Sequence, residues 1–265
     1  MTKLVTGIIL AALAVLPFDA PRAAVQTKEI EYEQGGTQLQ GTLAWDDAAK
    51  GKRPGVLVVH EWWGHNEHAR NQAKRLAEAG FVAFALDMYG KGKVATHPKD
   101  AQKYMEEVTK DPALVAARFD AALALLRQQP GVDPERVAAV GYCMGGTIAL
   151  GMARAGRDLT AVATLHAGLK PTGEPAKKGQ VKVHGVLVQT GGKDPFVPPE
   201  QVKAFEQEMK AAGVKAKVIV YPEAKHGFTN PDAGKAGMDA LAYDADADHK
   251  SFKALVDFLK KSFSA

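Results

Sequence analysis

Cysteine is nearly absent: Cys143 is the only one, so no disulfide can form within the chain. Histidines are scattered without the spacing of metal ligands, so no metal is implied, and no organic cofactor is implied either. There is no basic run with interleaved aromatics. The 34 Lys and Arg are mixed with 30 Asp and Glu, for a net charge of +4, which gives nucleic-acid binding no support. Beyond about residue 25 neither repeats nor a linker divide the chain. What is present is 265 residues that are 46% hydrophobic and 24% charged. That fits one large α/β domain with a substantial core.

The first residues stand apart. Lys3 precedes the apolar segment Leu4 to Leu16, Pro17 closes it, and small residues follow at Ala20, Ala23 and Ala24. This reads as a secretory signal peptide over residues 1–24, with a mature chain 25–265 exported to the periplasm. The apolar segment is short for a membrane span, so no stable membrane association is expected after cleavage. An uncleaved N-terminal anchor is the alternative. A lone thiol in an oxidising compartment is open to oxidation, which makes Cys143 an odd packing residue there.

Along the chain, Lys28–Glu33 and Gln38–Trp45 alternate as two strands of an edge hairpin around Gly35-Gly36. Apolar runs of strand length follow at Gly55–Val59, Phe81–Leu86, Val137–Val140, Thr160–Leu165, Gly185–Thr190 and Lys217–Tyr221. Helical patterns lie between or after them, over 66–79, 98–108, 113–129, 147–155, 199–212 and 248–263. Pro130 to Pro134 reads as a turn into the strand before Cys143. The alternation of strand and helix implies right-handed crossovers and a mostly parallel sheet covered on both faces.

One stretch organises the rest. The run Val137 to Val140 ends at Gly141; Tyr142, Cys143, Met144, Gly145 and Gly146 follow, then an apolar helical run. This is the G-x-nucleophile-x-G pattern of a strand-to-helix elbow, with Cys in place of Ser. Asp194 follows a later strand and His226 the last one, the order nucleophile, acid, histidine of an α/β-hydrolase. His226 is the expected base for the thiol, and Asp194 the group that orients its ring. Asp87 and His166 are the reserve acid and base. The expected oxyanion donors are the N–H groups of Met144 and Trp62. The cluster His60-Glu61-Trp62-Trp63-Gly64 ends a buried strand, where open α/β sheets bind ligands. On its residues alone it reads equally as core-capping tryptophans with Glu61 facing water.

These pieces together resemble the dienelactone hydrolase family, a Cys-His-Asp branch of the α/β-hydrolases. The matching residues are His60 to Gly64, Asp87 to Gly90, Gly141 to Gly146, Gly192 to Pro195 and Ala224 to Phe228, spread over about residues 55 to 230. The resemblance implies a carboxymethylenebutenolidase-like hydrolase. It also implies that Glu61 hydrogen-bonds the resting thiol and helps form the thiolate when substrate arrives. Family members grip a substrate carboxylate with arginines, one just after the tyrosine of the Asp-x-Tyr loop and one shortly past the histidine. Here those places read Tyr89-Gly90-Lys91 and His226-Gly227-Phe228-Thr229-Asn230, without arginine. Lys91 is left as a point charge, and Trp63, Tyr89 and Phe228, with Trp62, as contacts for an apolar or aromatic acyl or lactone group.

The expectation is therefore an exported thiol hydrolase of small esters or lactones, acting through an acyl-thioenzyme. A broader esterase or thioesterase is the alternative within enzymes. A thiol redox-sensing or binding protein on the same fold is the alternative outside them. The sequence leaves the oligomeric state open.

Overall fold

The computed structural model describes residues 25–265, so the expected leader over residues 1–24 lies outside them. Strands β1 (Val25–Gln34) and β2 (Thr37–Asp46) form the hairpin, with Gly35 and Gly36 at φ +57° and +76° in its two-residue turn. Two successive positive φ values suit glycine and match the twist of a tight hairpin. The remaining strands are β3 (Arg53–Val59), β4 (Val82–Ala85), β5 (Val132–Tyr142), β6 (Val162–Leu165), β7 (Val186–Gly191) and β8 (Ala216–Tyr221). The eight lie in the order β1-β2-β4-β3-β5-β6-β7-β8, antiparallel at the β1–β2 and β2–β4 pairs and parallel elsewhere.

The pleat sorts side chains onto the two faces. Leu57 and Val59 of β3 and Val137 and Ala139 of β5 pack with α2 (Pro98–Thr109), α3 (Pro112–Arg127), α4 (Met144–Arg154) and α5 (Pro199–Ala212). Their neighbours Val56, Val58, Ala138 and Val140 pack on the other face with α1 (Glu67–Glu78) and α6 (Ala245–Phe263). Both faces are buried, which is why these strands read as unbroken apolar runs rather than alternating ones.

Helix starts follow their caps. The side chains of Asn66, Asp111 and Asp244 accept from the N–H groups of Ala69, Ala113 and Ala247 in α1, α3 and α6. The Asp244 cap starts α6 three residues before the sequence pattern does. The structure also differs at β5, which begins at Val132 and carries Pro134 within it. Arg53 and Pro54 pair with Val132 and Asp133, and the register then jumps so that Gly55 meets Val137. Pro134 sits in that irregularity, where its missing N–H leaves no ladder bond unmade. Among the described residues no helix is long and apolar enough to cross a membrane.

Candidate active site

Every piece of the site stands at a C-terminal strand end. At the end of β5 the chain reverses into α4 through Cys143, whose φ is +51° and ψ is −121°. Positive φ strains a side-chain-bearing residue. The surroundings enforce it: the Cys143 N–H donates to Leu165 O at 3.0 Å, and Cys143 O accepts from Gly146 N–H at 3.0 Å. The flanking glycines allow the close approach. A Cβ on Gly141 would lie 2.2 Å from Gly145 O, and one on Gly145 would lie 2.2 Å from Val59 O.

The turn delivers the thiol to histidine. Cys143 Sγ is 3.0 Å from His226 Nε2, and His226 Nδ1 donates to Asp194 Oδ2 at 2.8 Å. The other oxygen, Asp194 Oδ1, accepts from the Phe196 N–H at 2.8 Å, which fixes the carboxylate. Burial works against a charge on the His226 ring. Cys143 and Asp194 on its two sides outweigh that and push its pKa up to about 10. The Phe196 ring stands edge-on to the imidazole, centroids 5.0 Å apart.

The loop after β3 faces the elbow. His60 Nε2 accepts from the Met88 N–H at 3.1 Å, so its Nδ1 carries the proton and donates to Glu61 O. Burial lowers the pKa of this ring and keeps it neutral. The Tyr89 hydroxyl donates to Trp62 O at 3.0 Å and touches Met144 Sδ at 3.3 Å. Loop and elbow are thereby braced against one another. Among the described residues, the N–H groups of Trp62 and Met144 have no acceptor, and both residues line the cavity in front of Cys143. Met144 opens α4, where N–H groups are free by construction.

Glu61 lies behind this surface and is buried. Its Oε2 accepts from Asn230 Nδ2 at 2.6 Å, and Oε1 is 3.9 Å from His166 Nε2. The Asp232 N–H donates to Asn230 Oδ1, which turns the amide nitrogen toward Glu61. Burial pushes the Glu61 carboxyl up to about 7, against the smaller pulls of Asn230 and His226. A cavity of about 460 Å³ opens in front of Cys143 and His226, walled by Trp62, Phe196 and side chains of α2, α3 and α4. Among the described residues no cluster of three His, Cys, Asp or Glu could hold a metal.

The model of the dienelactone hydrolase family matches residues 39–263. The chain belongs to the dienelactone hydrolase family. Protein usf of Aquifex pyrophilus is 34% identical over 206 residues, covering 76% of this chain and 86% of that one. A dienelactone hydrolase-like promiscuous phosphotriesterase from metagenomic libraries is 38% identical with a TM-score of 0.85, covering 90% of this chain and 98% of its own. The solved structure of m3DLH is 40% identical with the same TM-score of 0.85, covering 91% and 99%. The fold is that of the α/β-hydrolases.

Within this dienelactone hydrolase fold the structure brings Cys143, Asp194, His226, Trp62 and Met144 to one place. It departs from the sequence reading elsewhere. Glu61 is bonded to Asn230, while the thiol lies against His226 rather than against that carboxylate. The expected contacts Trp63, Tyr89, Lys91 and Phe228 are not among the residues lining the cavity. Trp63 packs edge-on to Trp62 with centroids 4.9 Å apart. Tyr89 is buried under the loop it braces, and Phe228 is buried against His166 and Tyr221. Lys91 reaches outward to Glu31 at 2.6 Å. Neither reserve residue lines the cavity, although the His166 ring packs edge-on behind His226 with centroids 5.2 Å apart. Asp87 caps its own loop by accepting from the N–H groups of Tyr89 and Gly90, and His166 is fully buried with Nε2 on Thr229 Oγ1 at 2.9 Å. Asn230, Phe196 and the helical wall of the cavity were not identified from the sequence. No motif marks them, although Asn230 stands only four residues past His226.

Glu61 gives this member of the dienelactone hydrolase family a measurable stability signature. Its carboxyl is raised from 4.5 to about 7 in the folded protein. Between those values the folded state holds a proton that the unfolded chain has released, so its contribution to stability falls as pH rises through the window. The loss is complete above pH 7 and amounts to on the order of 3 kcal/mol. Glu61→Gln keeps an acceptor for Asn230 and removes the titration. Chemical denaturation from pH 4.5 to 8 should therefore show the variant gaining on the unmutated protein by about that amount. Parallel curves would show that Glu61 is not a raised carboxyl.

Proposed function

We propose that the protein hydrolyses small carboxylic esters or lactones through Cys143. The observation that carries this is the linked pair of contacts Cys143–His226–Asp194 at 3.0 and 2.8 Å, at the mouth of a largely apolar cavity. The Cys143 sulfur, its proton taken by His226, adds to the carbonyl carbon and forms the C–S bond. The developing oxyanion receives the free N–H groups of Met144 and Trp62. On collapse the C–O bond to the alcohol breaks, and His226 returns the proton to the departing alkoxide. In a lactone that alkoxide stays tethered to the acyl group. Water, deprotonated by His226, then adds to the thioester. The C–S bond breaks, the acid leaves, and thiol and imidazole are restored. Asp194 holds Nδ1 and offsets the imidazolium charge. Glu61, close enough for its field to act on His226, adds negative charge behind the ring once it ionises near pH 7.

Rapid quenching during turnover of p-nitrophenyl acetate tests the intermediate. Mass spectrometry should find one acetyl group on the peptide holding Cys143, and its removal by neutral hydroxylamine identifies a thioester. Steady turnover with the label on another residue would overturn the assignment. The relative named as a promiscuous phosphotriesterase makes neutral phosphotriesters the second class to assay, since the same oxyanion donors suit a phosphoryl oxygen.

A further inference from the structure

The cavity in front of Cys143 is rich in sulfur and poor in charge. Four of the chain's seven methionines line it: Met105, Met144, Met152 and Met238. They come from α2, the start of α4, the last turn of α4 and the loop after β8, so no single helical stripe accounts for them. Among the described residues, no lysine, arginine, aspartate or glutamate lines the cavity. The ionisable side chains among those described lining residues are Cys143 and His226, and these face each other. The hydroxyl of Thr147, which also lines the wall, is engaged with Gly168 O at 3.0 Å.

We propose that this site takes uncharged esters whose acyl group is a flexible apolar chain or ring, and that it rejects esters and lactones carrying a carboxylate. The inference rests on the hydrolase reading above and adds the substrate class. A carboxylate placed against Met105 or Met152 would lose its water and meet no counter-charge, a placement that costs several-fold to many-fold in affinity. Among the described residues that line the cavity, the one able to carry positive charge is His226, and its imidazolium is already held between Cys143 and Asp194. Buried Glu61 behind it adds negative charge rather than relieving it. An apolar chain, in contrast, gains from every methylene it buries. Methionine is unbranched and polarizable, so a methionine wall adapts to chains of different shape. The volume of about 460 Å³ is in the ordinary range of sites for small organic molecules.

The test compares p-nitrophenyl acetate, butyrate, hexanoate and hemisuccinate, which share a leaving group. The hemisuccinate has nearly the length of the butyrate but ends in a carboxylate. We expect kcat/KM to rise about fourfold per methylene toward hexanoate. We expect the hemisuccinate to fall about 100-fold or more below butyrate at pH 8. Met238→Arg places a cation on the half-buried loop residue of the wall, where folding is least at risk. It should raise the hemisuccinate at least about tenfold and lower hexanoate. If the unmutated protein turns over hemisuccinate as well as butyrate, or if Met238→Arg folds and leaves the ratio unchanged, the substrate class is wrong while the hydrolase reading stands. If no ester is turned over, or if Cys143→Ala retains full turnover, the hydrolase reading falls and this inference with it.

Discussion

Cys143→Ala is expected to lower turnover of p-nitrophenyl acetate by about 10⁴-fold or more, because in the proposed mechanism the nucleophile, the base and its orienting acid act as one unit. The residue that remains should be the small catalysis that the Met144 and Trp62 N–H groups and binding supply by themselves. The substitution is structurally mild. Cys143 lies in the tip of the elbow with its backbone held by Leu165 O and Gly146 N–H, and alanine keeps those bonds. Loss of activity with unchanged unfolding would therefore report chemistry. A second readout separates the thiol's role from simple damage. The His226 ring is held up to about 10 partly by Cys143. In the variant the ring should titrate at lower pH than in the unmutated protein, as NMR of its ring protons would show. Equal turnover by both proteins would mean that Cys143 is not the nucleophile. No turnover by either, together with rapid oxidation of the thiol by peroxide, would favour a sensing role on the same fold.

The parts of the site that a sequence reveals are those set by the chain's own rhythm. Each member of the Cys143–Asp194–His226 set follows an apolar run of strand length, and a parallel sheet brings all such ends to one edge. Their order, and the glycines around Cys143, needed no knowledge of tertiary contacts. The substrate contacts failed for the opposite reason. Tyr89 and Phe228 sit beside functional residues in the sequence, but the local turn decides which way each ring points. Gly227, at φ +70°, sends His226 into the cavity and Phe228 into the core. Lys91 was a neighbour of the site until the edge hairpin supplied Glu31, sixty residues earlier. Asn230 and Glu61 are 169 residues apart, and nothing along the chain announces their bond. The methionine wall was hidden because Met105 and Met152 look like ordinary core residues of amphipathic helices. Which face of α2 and α4 meets the cavity depends on how each helix lies on the sheet. Pro134 argues against a strand at the start of β5, and only the local jump in register makes room for it.

Gly145→Ala should be strongly damaging for a single-methyl change, and Gly151→Ala in the same helix should be its opposite in stability. A Cβ on Gly145 would stand 2.2 Å from Val59 O and 2.5 Å from His60 O, both backbone atoms at the buried end of β3. Neither can yield without moving β3 or lifting the first turn of α4. Overpacking of this kind costs about 1–3 kcal/mol and more when only backbone can give way. Lifting α4 also carries the Met144 N–H and Cys143 away from His226, and a displacement of about 1 Å is enough to lose about 100-fold in rate. Gly151, two turns along, offers its new methyl only an ordinary contact, 3.4 Å from Thr172 Oγ1. There the change removes a helix-interior glycine and should stabilise by about 0.5–1 kcal/mol. Urea denaturation and ester turnover of the two variants make the comparison. If Gly145→Ala unfolds at the same urea concentration as the unmutated protein and keeps its rate, α4 does not press on β3 as the structure has it. The tightness of the elbow would then not be what positions the thiol.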